Sequence, residues 1–251
     1  MNKIYNNIIN RLKEFQERNH VNGYVLGISG GKDSTVVAKL LVDAIGKENV
    51  LGVLMPNGEQ KDIDDSYKVC KYLNINYTVI NINDAFDGIV QQVNLSKIHT
   101  VNNNEENIFL TEKSLTNVAP RIRMTTLYAI AQSLGYLVAG TGNKSERFVG
   151  WFTKWGDGAC DINPIAHLTC TEVIELGDYL GLPYDLVHKT PADGLTGKSD
   201  EDNLGFTYKE LDSLIKKFES PDYYIPVNQK ERNMLSMHYN CFHKFNVITL
   251  E

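Results

Sequence analysis

The segment Gly27-Ile-Ser-Gly-Gly-Lys-Asp-Ser34 restricts what this chain can fold into more than any other stretch. A short apolar run, Gly23 to Ile28, leads into it, and from Ser34 to Ile45 apolar residues recur at helical spacing. A strand therefore enters two adjacent glycines and a helix leaves them. Such a turn exposes backbone N–H groups and a helix N-terminus to an anion, which suits phosphate. It is not a Walker A loop: Asp33 rather than Ser or Thr follows Lys32, and Leu26 stands where the first glycine belongs. A carboxylate among phosphates repels them unless it holds a cation, so Asp33 is the first candidate magnesium ligand. The alternative is a plain tight turn in which Asp33 and Ser34 cap the helix.

The rest of the chain repeats the alternation. Residues 4–18 read as an amphipathic helix, 49–55 as a strand closed by Pro56-Asn57-Gly58, 62–73 as a helix and 77–82 as a strand. Residues 118–134 return to helical spacing, and 135–139 form a short strand ending at Gly140-Thr141-Gly142, with a further helix over 171–180. The fold class expected is α/β, a doubly wound parallel sheet with helices on both faces, Rossmann-like. Ligands in such sheets bind beyond the carboxyl ends of the strands, so the turns at 29–31 and 140–142 can face one crevice. Ser145 prevents the second turn from completing G-x-G-x-x-G. Two polar stretches interrupt the pattern: 94–113 reads as mobile or exposed, and 189–205 reads as a lid. With 251 residues and 42% hydrophobic composition, one domain over 1–251 is expected.

A formal charge of −6 gives no general attraction to nucleic acid. The four cysteines, Cys70, Cys160, Cys170 and Cys241, show neither C-x-x-C pairing nor zinc spacing, which suits a reducing cytoplasm. No apolar run approaches the roughly 18 residues of a membrane span.

Ser-Gly-Gly-x-Asp-Ser after a strand resembles the loop of the N-type ATP pyrophosphatases, which cleave ATP between its α and β phosphates. Leu54 to Asp62, Asn117 to Met124, Gly140 to Glu146, Phe152 to Gly158 and Asp161 to Pro164 resemble, in order and over nearly the whole chain, the ammonia-dependent NAD synthetases. The resemblance implies that Gly27, Ile28, Ser29, Gly30, Gly31, Lys32, Asp33, Ser34, Thr141 and Thr190 contact ATP. It implies that Asp33 and Glu146 share magnesium, and that Arg121, Lys154, Asp161, His243 and Lys244 contact deamido-NAD. Asp33, Glu146 and Asp161 are the implied catalytic residues, with Asp161 the candidate to bind ammonium and accept its proton. The implied reaction adenylates deamido-NAD and lets ammonia displace AMP, giving NAD, AMP and pyrophosphate. A homodimer with the Arg121 helix at its interface, and no glutaminase domain, completes the expectation.

Some readings stay open. On spacing alone Arg121 and Arg123 sit on a solvated face, and Glu146 suits a helix N-terminus as well as a metal. Trp151, Phe152 and Trp155 suit either stacking on substrate or packing. Two departures stand out: Cys170 replaces an ATP-contacting lysine found in many members, and Phe245 to Glu251 replaces a proline-containing basic tail. A thiolating pyrophosphatase would call for cysteine pairs and a basic surface. A nucleotide-binding regulator without catalysis has only Cys170 in its favour.

Overall fold

The computed structural model describes residues 1–60, 62–102, 104–189, 199–222 and 224–245. In chain order these form α1 (Asn2–Asn19), β1 (Tyr24–Gly27), α2 (Lys32–Ile45), β2 (Val50–Leu54), α3 (Ile63–Leu73), β3 (Asn76–Val79) and α4 (Asn83–Leu95). A hairpin of β4 (Lys97–His99) and β5 (Glu105–Asn107) follows, then α5 (Glu112–Leu134), β6 (Leu137–Val138) and α6 (Lys144–Val149). The remainder is helical: α7 (Cys170–Tyr179), α8 (Tyr184–Val187), α9 (Asp200–Leu204), α10 (Tyr208–Phe218) and α11 (Gln229–Asn240).

The main sheet runs β3-β2-β1-β6 and every pairing in it is parallel. Val25 of β1 lies between Leu51 of β2 and Val138 of β6. Side chains along β1 alternate between two cores, as the pleat requires. Tyr24 and Leu26 join Leu40, Leu41 and Val69 from α2 and α3 on one face, while Val25 joins Val53, Ala119 and Ala131 on the other. Helices therefore cover both faces, as the strand–helix alternation predicts. Beyond the sheet, Phe148, Leu211, Leu214, Ile215 and Met234 knit α6, α7, α10 and α11 into a third cluster.

Several boundaries differ from the sequence reading, and each has a local cause. Helix α2 starts at Lys32 rather than Ser34, because its polar first turn follows an extended Gly31 and precedes the apolar period. Helix α5 starts at Glu112 rather than Val118: Thr111 and Ser114 cap each other's backbone, supplying a start signal outside the apolar pattern. The 94–113 stretch is exposed but contains the β4–β5 hairpin, whose paired residues present side chains to solvent on both faces and so carry no alternation. The proposed 189–205 loop ends in helix α9, capped reciprocally by Ser199 and Asp202, and Asp200 packs inward rather than lying on a surface loop. Among the described residues no helix is long and apolar enough to cross a membrane.

Candidate active site

Strands β1 and β6 are neighbours: the chain winds outward from β1 through β2 to β3 and then crosses back to β6 on the other side of β1, which makes the carboxyl ends of β1 and β6 the switch point of the fold. Both glycine turns stand there. After Gly27, the amide of Ile28 donates to Val53 O at 2.9 Å and extends the sheet by one residue. Gly30 then takes φ +76°, and a Cβ on it would lie 2.7 Å from Asp65 Cβ and 2.9 Å from Ser66 N, so the loop is seated directly on α3. Ser34 Oγ accepts from Ser29 N at 3.3 Å and donates to Gly31 O at 3.1 Å, folding the serines into the loop. Among the described residues no side chain caps α2, which leaves its first-turn amides available to an anion.

The second turn delivers the other carboxylate. Gly140 donates to Ile162 O at 2.8 Å, and its Cα packs so closely on Cys160 that an added Cβ would meet Sγ at 2.5 Å. Thr141 stands half-buried between the two glycines. Asn143 caps α6 reciprocally with Glu146: Asn143 N donates to Glu146 Oε2 at 2.9 Å and Glu146 N to Asn143 Oδ1 at 3.0 Å. The same Asn143 donates through Nδ2 to Asp33 Oδ1 at 3.0 Å. One buried asparagine thus ties the carboxylates of both turns together. Glu146 fills the helix-cap role and still faces Asp33, so the two readings of this residue coexist.

Burial first, and then the Asp33 charge, raise the Glu146 pKa well above the ordinary glutamate value, against the opposing effect of Lys32. Lys32 is 4% exposed and donates to Asp33 Oδ2 at 2.8 Å. Burial alone would lower its pKa, but Asp33 and other neighbouring anionic groups outweigh that and keep it a cation. The Cys170 thiol lies in the same buried neighbourhood and is pushed up to about 12 by burial, so it stays protonated at neutral pH. Two hard-oxygen donors that repel each other and share a hydrogen-bonding asparagine fit a magnesium ion whose other positions are filled by phosphate and water.

Asp212 of α10 ties the first turns of α6 and α7 together behind the site. It accepts from Ser145 Oγ, from Thr171 N at 2.8 Å and from Thr171 Oγ1 at 2.6 Å, while Ser145 Oγ accepts from Cys170 N at 2.9 Å. Near the first loop, Lys189 donates to Asp62 at 2.9 Å and Asp65 at 2.6 Å. Thr190 lies outside the described residues.

A second constellation gathers the other candidates. Arg121 Nε donates to Lys154 O at 3.3 Å, and Lys154 Nζ to His243 O. Lys244 Nζ donates to Gly150 O at 2.6 Å and Phe152 O at 2.8 Å, and burial lowers its pKa. Arg121, Lys154, His243 and Lys244 are thus neighbours. Asp161 lies apart from them beside β6: its Oδ2 accepts from Val138 N at 2.7 Å, and Oδ1 lies 3.4 Å from Tyr128 Oη. Arg123 is not solvated; its Nε donates to Met55 O at 3.0 Å and burial lowers its pKa. Trp151 packs on the helical cluster and Phe152 on Phe245, whereas Trp155, at φ 59° and 53% exposed, carries Lys154 over its ring and is the most exposed of the three. Sequence reasoning missed Asn143, Asp212 and Tyr208, whose ring lies 5.5 Å from Lys32 Nζ; only Asn143, as the cap three residues before Glu146, left a readable signal.

The sequence pattern of the NAD synthase family matches residues 4–244. The chain is 43% identical over 212 residues to an NH(3)-dependent NAD(+) synthetase of Pyrococcus furiosus, covering 84% of this chain and 77% of that one. It is 40% identical over 227 residues to the enzyme of the same name from Methanocaldococcus jannaschii, covering 87% and 82%. Among solved structures, an NMN synthetase from Francisella tularensis superposes with TM-score 0.86 at 30% identity, covering 100% of this chain and 98% of that one. An NH3-dependent NAD synthetase from Campylobacter jejuni superposes with TM-score 0.75 at 28% identity and the same coverage.

Proposed function

The chain belongs to the NAD synthase family, and we infer that it is an ammonia-dependent NAD+ synthetase, a ligase that converts deamido-NAD, ammonia and ATP into NAD+, AMP and pyrophosphate. The observation that carries this reading is the Asn143 bridge, which joins the Asp33 carboxylate of the phosphate loop to the Glu146 carboxylate of the second glycine turn.

A carboxylate does not yield to ammonia directly, because oxide is a poor leaving group. Its oxygen attacks the α phosphorus in line and pyrophosphate departs; ammonia then attacks the acyl carbon and AMP leaves. The amides of the glycine turn and the first turn of α2 hold the departing pyrophosphate, where negative charge grows. Asp33 and Glu146 would hold magnesium, which when bound offsets the phosphate charge. Arg121, Lys154, His243 and Lys244 bind the dinucleotide, and Trp155 stacks on one of its rings. Asp161, an exposed residue whose Oδ1 is held only by a long 3.4 Å bond from Tyr128, receives the ammonium proton. Turnover by Asp161→Asn equal to wild type at every pH would remove it from that role.

Purified chain with ATP, magnesium, ammonium and deamido-NAD should release NAD, AMP and pyrophosphate in equal amounts. AMP formation without NAD would sink the reading. A second substrate is favoured by the 0.86 superposition on the NMN synthetase: the mononucleotide acid should be amidated too, and running both acids side by side ranks them.

We also propose a homodimer through α4 and α5. No residue of α4 is buried, only Ala119 and Ala131 of α5 are, and Ile89, Leu95 and Leu134 present apolar surface. Sedimentation should give twice the chain mass. Residues 1–251 are taken to act as one domain, and the four free thiols suit the cytoplasm.

A further inference from the structure

Lys32 is a cation held where a cation is not easily kept. A buried ammonium must be paired, and among the described residues this one has a single short ionic bond, to Asp33 Oδ2 at 2.8 Å. Its other support is the ring of Tyr208, 5.5 Å from Nζ to centroid. Tyr208 is itself fixed at the start of α10: Oη donates to Asp200 at 3.2 Å, the amide donates to Glu201 Oε1 at 2.8 Å, and the ring packs with Phe206 and Leu211.

We propose that Tyr208 is a positioning residue of the ATP site, whose ring holds the Lys32 ammonium on Asp33 as a resident counter-ion that gives way to the divalent cation when nucleotide arrives. The inference rests on the magnesium reading of Asp33 and Glu146. An ammonium and a dication cannot share Asp33 Oδ2, because like charges at contact repel. Lys32 already offsets the Asp33 charge, so a dication entering without nucleotide would leave the pocket with excess positive charge. The phosphates of ATP remove that obstacle and offer Lys32 a new partner. Lys32 therefore suppresses metal binding to the empty site and favours it together with ATP, so that cation and nucleotide enter as one event.

The test measures two affinities on the full chain: Mn2+ alone by water-proton relaxation, and ATP with Mg2+ by calorimetry. Lys32→Met should bind Mn2+ alone about tenfold more tightly and ATP about tenfold more weakly, the scale of one desolvated cation contact. Lys32→Gln serves if the Met variant does not fold. Tyr208→Leu should shift both affinities in the same opposed directions by a few-fold, while Tyr208→Phe, which keeps the ring, should stay within about twofold of wild type. A merely structural role would weaken both affinities together. That result, or identical behaviour of the Leu and Phe variants, overturns the proposal. Unchanged Mn2+ binding in Lys32→Met overturns it while leaving the magnesium reading intact; wild type that takes up no Mn2+ even with ATP overturns both.

Discussion

Removing the Asp212 carboxylate should loosen Glu146 without touching the crevice. Ser145, which precedes Glu146 in the first turn of α6, is fully buried and donates to Asp212, and Thr171 in the first turn of α7 donates to it twice. A hydrogen bond to a charged group contributes about 1.5–3 kcal/mol, but Thr171 is exposed and water can replace its partner. The uncompensated loss is therefore chiefly at Ser145, together with the carboxylate's interaction with the α7 N-terminus. These sum to about 3 kcal/mol for Asp212→Ala. For a chain of this size that lowers Tm by about 6–12 °C. Asp212→Asn keeps an acceptor for Ser145 but turns a donor toward Thr171 N, so it should fall between the two. Calorimetric melting with chelator present reads the stability, and KM for ATP should rise in the same order as Tm falls. An Ala variant melting within about 2 °C of wild type would refute the argument.

Glu146→Gln should abolish turnover yet stabilise the metal-free protein at neutral pH. Because the folded-state pKa of Glu146 is raised, its contribution is fully present below the unfolded carboxylate pKa of about 4 and lost as pH rises through the folded value. Unfolding in urea with chelator, from acid to neutral pH, should show a decline in wild type that the variant lacks; parallel curves would contradict this. Gly30→Ala forces a side chain into φ +76° and onto Asp65 and Ser66, costing about 2–4 kcal/mol from backbone strain and overpacking. Its urea midpoint should drop and ATP binding should be lost. Lys244→Met leaves Gly150 O and Phe152 O without their ammonium partner, about 2 kcal/mol, and should raise KM for the dinucleotide acid while leaving ATP affinity unchanged. Steady-state kinetics with each substrate varied separates these outcomes.

The first loop was legible because its chemistry is local: a strand, two glycines and a carboxylate lie within eight consecutive positions, Gly27 to Ser34. The parallel sheet and the meeting of the two glycine turns followed from alternation and the carboxyl-end rule, and the sheet order bears both out. Tyr208 and Asp212 were not legible, because each sits on an ordinary amphipathic helix and gains meaning only from residues far away in sequence. Spacing alone allowed Arg123 to be solvated, since helical spacing gives the direction of a side chain around its own axis, not the position of the chain leaving β2 beside it. Helix α4 was passed over although Phe86, Val90 and Val93 recur at helical spacing; that face stays only partly buried in the chain.

Asp33 is reached before the exposed β4–β5 hairpin and Glu146 after it, while β1 and β6 pair without any residue of that hairpin. The Asp33–Glu146 carboxylate pair is in effect contributed by two halves of the chain, held side by side by strand pairing and Asn143. A polypeptide severed at the hairpin would carry one carboxylate on each fragment, and neither fragment alone would possess the site. Nucleotide affinity would then measure how tightly the halves reassociate. During synthesis the same logic delays the first possible ATP binding until β6 and α6 have joined β1, so ligand capture marks completion of the sheet.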